Sequence, residues 1–128
     1  MRVEKKQIEK EYYKIVLVNI QMDEYKILKG PEEEQILTRV LQDDYHSTKY
    51  EKMLQLLAWE LVEKEYREDF CSIFSLKNIC KEFQNGKAFI KYSYLRNIKE
   101  EKQMVHTRVY PRTIQGEELK EFMIYVTV

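Results

Sequence analysis

The spacing of apolar residues changes at Gly86, and this change constrains the fold more than any other feature of the chain. Before Gly86 the apolar residues recur three and four positions apart, as at Leu76, Ile79 and Phe83, which is the spacing of one helix face. After Gly86 they alternate with polar residues, as in 88–95, which is typical of a half-buried strand. Helical and strand segments thus occupy separate parts of the chain, and this separation predicts an α+β fold.

Two more strands precede the helical part. The segment Tyr13–Ile20 is short, β-branched and almost wholly apolar, which predicts a central strand buried on both faces. Tyr25–Lys29 follows after a polar break and predicts a hairpin that ends at Gly30-Pro31. Glu32–Glu34 then favour a helix start, because acidic side chains oppose the positive end of a helix dipole. An acidic binding patch is the alternative interpretation of these glutamates.

The helical middle contains recognisable start and stop signals. Thr48–Glu51 matches a capping box, and Ser75 is expected to cap a later helix. Residues 63–74 are expected to be partly helical, and Asn85-Gly86 is expected to end the last helix. The apolar face that follows the capping box contains Tyr50, Met53, Leu54, Leu57, Ala58, Leu61 and Val62.

Three alternating segments complete the chain, over 88–95, 103–110 and 122–128, with turns at 97–102 and 115–117. The order β-β-α-α-α-β-β-β predicts a five-stranded antiparallel sheet with helices on one face. The helical middle would have to cross from one edge of that sheet to the other.

The N-terminal residues 1–12 predict a charged helix with a thin apolar stripe, so we expect this helix and one domain over 13–128. Either this helix or a second subunit would cover the sheet face that the other helices leave open. The expected contacts of a homodimer are therefore Val3, Ile8 and Tyr12.

Composition excludes several classes of partner and cofactor. The 22 Lys and Arg balance the 22 Asp and Glu, which gives no electrostatic reason to expect nucleic acid or an acidic membrane. Cys71 and Cys80 form neither a disulfide framework nor a C-x-x-C motif. We therefore expect both to be small, buried, hydrophobic side chains of a protein in a reducing, cytoplasmic compartment. His46 and His106 lack the spacing of metal ligands, so no metal site is expected.

Several motifs, in this order along residues 12–128, resemble the PAS sensor domains of bacterial signalling proteins, especially those that precede diguanylate cyclase domains. The matching segments are Tyr13–Ile20 with Tyr25–Pro31 as the opening hairpin, Phe74–Ile79 (FSLKNI) as the family's F-S-L-E-N-L, Asn85–Lys87 with Phe89–Arg96 as its G…F…E-Y-R, and Gly116 with Leu119–Val128 as its last strand.

The chain also departs from the family pattern. Val62–Phe70 stands where the family often has V-H-P-E-D-R…F, but Glu63, Lys64 and Tyr66 replace the His, Pro and Asp. Met104 stands where the family often has Trp.

The resemblance implies a sensory or dimerisation module and not an enzyme, with a small ligand between the helices and the inner face of the sheet. The expected pocket residues are Met53, Leu57, Trp59, Phe74, Ile79, Phe83, Tyr92 and Tyr94, and for each of them plain core is the commoner role of such a side chain. No cofactor is expected. The spacing around Cys80 differs from the N-C-R-F-L run of flavin photoreceptors, and neither His46 nor His106 is placed as a haem ligand.

Two other functions stay open from the sequence: a free-standing interaction domain and a small α+β enzyme. An enzyme needs an acid and a base that converge in a pocket, and the apolar faces of this chain contain almost no Asp or Glu. The chain ends at Val126–Val128 within an apolar strand. That ending favours a module of a larger protein, with an output domain after it.

Overall fold

The computed structural model of the protein describes residues 12–32, 49–116 and 118–128. The elements are β1 (Lys14–Asn19), β2 (Glu24–Lys29), α1 (Tyr50–Glu60), α2 (Lys64–Phe74), α3 (Leu76–Gln84), β3 (Ile90–Ile98), β4 (Glu101–Gln115) and β5 (Glu118–Thr127). The predicted α+β class, with an antiparallel sheet and a helical middle, is confirmed. The predicted N-terminal helix before Tyr12, most of the predicted helix start after Pro31, and Val3, Ile8 and His46 lie outside the described residues.

The described strands form one sheet in the order β2-β1-β5-β4-β3, and every neighbouring pair is antiparallel. β2 and β3 flank the helical segment in sequence but lie at opposite edges of the sheet. The helical middle therefore crosses the sheet from edge to edge, as expected. β1 lies between two other strands, and Ile15, Val16 and Val18 are buried, so its predicted central position is confirmed.

Alternation along the strands separates an inner face, against the helices, from an outer face. On β4, Val105 and Val109 are buried while His106 and Arg108 are exposed. The inner-face residues and the apolar faces of the three helices form one hydrophobic core. Each large apolar side chain buried there contributes about 1.5–3 kcal/mol, so this layer supplies most of the stability of the fold.

The start of α1 differs from the predicted capping box. Its N-cap is Lys49, and this residue makes no side-chain hydrogen bond at the cap. The amides of Tyr50 and Glu51 donate instead to the backbone oxygen and the Oδ1 of Asp23, at 2.9 and 3.2 Å. The Glu51 carboxylate accepts a hydrogen bond from the Leu76 amide at 2.8 Å, at the start of α3. The β1–β2 turn therefore supplies the cap, and Glu51 stabilises another helix.

The predicted helix boundaries at Ser75 and Gly86 are confirmed, and the strand pairing accounts for Pro111. The Ser75 hydroxyl accepts a hydrogen bond from the Asn78 amide at 3.2 Å and so caps α3. Gly86, just after α3, has a φ of 91°, which side chains rarely tolerate. Pro111 lies at a shift of register in β4, beyond Val109, the last β4 residue that pairs with β3. A proline is tolerated there because the ladder on that side has ended.

The β3–β4 turn offers a test of backbone strain. Lys99 and Glu100 adopt φ values of 50° and 67°, a pair of positive values typical of a type I′ turn. This turn favours Asn-Gly, because left-handed backbone costs other residues about 1–2 kcal/mol each. We expect the double substitution Lys99→Asn with Glu100→Gly to raise the free energy of unfolding by about 1 kcal/mol, measured by urea denaturation. The same two residues introduced at Lys87-Ala88 should give no gain, and an equal gain there would contradict the strain argument.

No helix among the described residues has the length and apolar character needed to cross a bilayer.

Candidate functional site

A small cavity lies between the helical layer and the inner face of the sheet. Its volume is about 40 Å³, and a single water needs about 10–15 Å³, so it has room for about three or four small non-hydrogen atoms. Most of its wall is apolar, formed by Val16, Ile124 and Val126 from the sheet and by Met53, Leu54, Leu57, Leu61, Val62, Phe70 and Phe74 from the helical layer. The cavity therefore lies where the PAS resemblance implies a ligand site.

Four of the eight predicted pocket residues, Met53, Leu57, Phe74 and Tyr94, lie on this wall. Ile79 is fully buried in the core but does not line the cavity, and Phe83 and Tyr92 are half-buried at the edge of the core. Contact of any of these residues with a ligand stays a prediction.

Trp59 is the predicted pocket residue whose placement the structure corrects. Its side chain is 71% exposed, on the opposite side of α1 from the buried Leu57. The guanidinium carbon of Arg67 lies 4.7 Å from the centre of its ring, an ordinary cation–π contact at the surface. Two residues along a helix rotate a side chain by about 200°, so Leu57 and Trp59 cannot face the same cavity.

Three polar side chains interrupt the apolar wall, and none of them is among the pocket residues predicted from the sequence. Lys14 and Arg96 are each 4% exposed and Thr107 is 1% exposed. Lys14 and Thr107 both pair with Val126, one from each side of β5, so they lie in one line across three strands. Lys14 and Arg96 are the only charged side chains buried among the described residues.

The Arg96 side chain reaches from β3 toward the start of β1. Its guanidinium carbon lies 5.6 Å from the centre of the Tyr13 ring, and Tyr13 directly precedes Lys14. Its Nε donates to the Asn97 carbonyl oxygen at 3.3 Å. This contact with Tyr13 brings the guanidinium beside the chain segment that carries Lys14. Both cations therefore line the part of the cavity that is nearest to the start of β1.

Two links hold the helical layer on the sheet around the cavity. The Asn97 amide donates to the Leu61 carbonyl oxygen at 2.8 Å, and the Glu63 amide donates to the Leu95 carbonyl oxygen at 2.9 Å. At the other end of α1, the Lys49 Nζ donates to the Met22 carbonyl oxygen at 2.9 Å. These bonds tie both ends of α1 to the sheet or to the β1–β2 turn.

Tyr50 fills the space beside the cavity. Its hydroxyl donates to the Phe74 carbonyl oxygen at 2.7 Å, and its ring meets the edge of Phe122 at a centroid distance of 5.7 Å. Burial raises the pKa of Tyr50 well above its usual value, and the nearby charges of Glu51 and Asp23 act in the same direction. The Tyr50 side chain therefore stays neutral and donates a hydrogen bond to the backbone.

The outer sheet face contains the only histidine among the described residues. The Ser93 Oγ and the His106 Nδ1 are 2.7 Å apart as a cross-strand pair. The depression around this imidazole has a volume of about 430 Å³ and is also lined by Tyr12, Lys91, Arg108, Tyr125 and Thr127, none of which is a carboxylate. A nucleophilic Ser–His pair needs a third group that orients the imidazole. This exposed pair therefore gives no support to the enzyme alternative.

The two thiols differ from the expectation in their placement. Cys71 and Cys80 lie on different helices, α2 and α3, and both are free and half-buried rather than buried. Burial raises the pKa of each thiol, and the charges of Glu51 and Glu118 add to this for Cys71 and Cys80 respectively. The thiolate is disfavoured at both positions, which makes them poor nucleophiles. Within the described ranges, no three His, Cys, Asp or Glu side chains group as a metal site.

Comparison with known proteins assigns no family, since no protein-family model matches the chain and no curated protein is significantly similar to it.

Proposed function

We propose that this chain is a PAS-type sensor module of a bacterial cytoplasmic signalling protein, and that it binds a small ligand in the cavity between the helices and the sheet. The cavity carries this proposal. Small-molecule sites are concave and mostly apolar, with a few polar groups that fix the ligand. The cavity has this composition, because Lys14, Arg96 and Thr107 interrupt an otherwise apolar wall. The element order and the strand order β2-β1-β5-β4-β3 also favour the proposal.

The last strand offers a route by which a ligand could change the outer face. On β5, Ile124 and Val126 line the cavity, while Tyr125 between them points to the outer face. There the ring of Tyr125 lies 4.8 Å from the ring of Tyr12 and 5.8 Å from that of Tyr110. If β5 can take two positions and a ligand binds more tightly to one of them, the ligand would shift these aromatic rings together with β5. In the proposed role, an output domain after β5 receives the shift.

The proposed module is a homodimer that associates through the outer face. Tyr12, a predicted dimer contact, lies on this face against Tyr125, and Phe89 and Met104 are exposed there. An exposed sheet face with aromatic side chains is typical of surfaces that associate. Val3 and Ile8, the other proposed contacts, lie outside the described residues.

Native mass spectrometry of the purified 128-residue chain tests ligand binding and association together. We expect a dimer that retains a small molecule, and we expect Leu57→Phe to abolish that retention by filling the cavity. Overpacking costs about 1–3 kcal/mol, so the thermal unfolding of Leu57→Phe is measured in parallel. Trp59→Leu, on the same helix but outside the cavity, is the matched control and should retain the molecule.

Two results would contradict the proposal. One is a chain that emerges without a ligand and whose melting temperature no small carboxylate, amide or alcohol raises; this would favour a free-standing interaction domain. The other is equal retention by Leu57→Phe and Trp59→Leu, which would place the ligand elsewhere. A ligand-bound monomer would contradict the homodimer alone.

A further inference from the structure

We propose that the cavity is selective for a short-chain monocarboxylate, whose carboxylate contacts Arg96, Lys14 and Thr107 and whose hydrocarbon tail contacts the apolar wall. This inference rests on the proposed ligand-binding function, because it assigns a chemical class to a ligand in the same cavity.

The charge of the wall favours an anion. Lys14 and Arg96 bring two positive charges into a region with a low dielectric constant, where a charge–charge interaction is several times stronger than in water. Both cations also have contacts within the protein. A guanidinium carries five N–H donors and an ammonium group three, so each can donate to a ligand as well. The planar guanidinium matches the two oxygens of a carboxylate, which it can bind with two parallel hydrogen bonds.

Thr107 supplies an independent observation. Its Oγ1 is buried at the cavity wall and has no hydrogen-bond partner within the structure. A buried hydroxyl without a partner is costly, and native proteins rarely keep one without a reason. Valine has nearly the same shape and would fill an inner-face position without this cost. A ligand oxygen that accepts a hydrogen bond from this hydroxyl would explain why threonine and not valine occupies the position.

Size and polarity distinguish the carboxylate from other anions. A cavity of about 40 Å³ admits few heavy atoms, and its neighbours at Val16, Leu54 and Val126 are apolar. Phosphate would place polar oxygens against these side chains. Some of those oxygens would have no hydrogen-bond donor, which is unfavourable. A carboxylate with a short alkyl tail places its oxygens at the cations and its carbons at the apolar wall.

Calorimetric titration of the full chain with sodium acetate tests this inference, with acetamide and inorganic phosphate as comparison ligands. We expect saturable binding of acetate, and binding at least about tenfold weaker for the other two, because they lack either the charge or the apolar end of acetate. Arg96→Met should weaken acetate binding by about tenfold or more, because a hydrogen bond to a charged group is lost. Lys91→Met, an exposed cation on the same strand, is the matched control and should leave the affinity unchanged.

Thr107→Val separates a ligand contact from a structural role. We expect it to raise the melting temperature of the ligand-free chain, because a buried hydroxyl without a partner is removed, and to weaken acetate binding severalfold. Equal affinity for acetate and acetamide, or unchanged acetate affinity in both Arg96→Met and Thr107→Val, would overturn the carboxylate assignment while leaving ligand binding intact. If phosphate binds more tightly than acetate, the site is one for an inorganic anion and the assignment is wrong. If Arg96→Met does not fold, the titration of Thr107→Val decides.

Discussion

Replacing Phe122 by alanine is expected to lower the free energy of unfolding by about 3–5 kcal/mol, a large part of the total stability of a domain of this size. Phe122 is fully buried in β5, which lies between β1 and β4 in the sheet, and its ring packs edge-on against Tyr50. The truncation removes apolar contact area and leaves a cavity that the hydrogen-bonded Tyr50 cannot fill by moving. Urea denaturation, followed by circular dichroism, measures the loss.

Phe89→Ala is the matched control for this substitution. Phe89 is 40% exposed on the outer face, where it contacts Tyr110 and the guanidinium of Arg108. Its truncation should cost no more than about 1 kcal/mol, because its contacts are at the surface. If the two alanine variants lose equal stability, β5 is not the centre of the core. Phe122→Leu, which leaves a smaller cavity, replaces Phe122→Ala if that variant does not fold.

Features that depend on nearby residues could be predicted from the sequence. Ser75 caps a helix because its hydroxyl reaches an amide three residues away, and Gly86 ends that helix because glycine tolerates a positive φ. Both effects act within one turn of the chain, so residue type and spacing are enough to predict them. The same holds for the alternation of Val105 to Val109, which separates the two faces of β4.

Contacts between distant segments could not be predicted. Thr48–Glu51 has the spacing of a capping box, but Asp23 caps α1 and Glu51 binds the Leu76 amide, 25 residues away. Trp59 is one of the expected pocket residues, although it falls between the positions of the apolar face. A helical projection that gave each residue its angle would have placed it at the surface.

The positions of the three polar cavity residues could have been predicted from strand alternation, but their polar side chains do not suggest the inner face of a sheet. Lys14, Arg96 and Thr107 each occupy a position that alternation assigns to the inner face, beside Val16, Tyr94 and Val105 respectively. A cation or hydroxyl at such a position interrupts the apolar pattern. Their convergence on one cavity depends on the strand order, which follows from long-range pairing and not from local spacing.

Replacing Tyr50 by phenylalanine is expected to change the pH dependence of stability as well as its magnitude. Near pH 7 the variant should lose about 1–2 kcal/mol, because the Phe74 carbonyl oxygen is left without the buried hydroxyl that donates to it. The pKa of Tyr50 in the folded state lies well above its usual value of 10.0, because burial and the charges of Glu51 and Asp23 disfavour the phenolate. A raised pKa contributes stability that is fully present below the unfolded pKa and is lost as the pH rises through the folded pKa.

Above about pH 10, therefore, the wild-type chain should lose up to about 1.4 kcal/mol of stability per pH unit through this one group, since only the unfolded state releases the proton. The phenylalanine variant lacks this loss, so the difference in stability between the two proteins should shrink and then reverse.

Both proteins keep Cys71 and Cys80, whose raised pKa values affect both pH profiles alike. Tyr92→Phe is the graded control, because burial also raises the pKa of the half-buried Tyr92, but less. Urea denaturation between pH 7 and about pH 11.5 measures the profiles, and parallel curves for wild type and Tyr50→Phe would show that the phenol of Tyr50 ionises as freely in the folded chain as in the unfolded one.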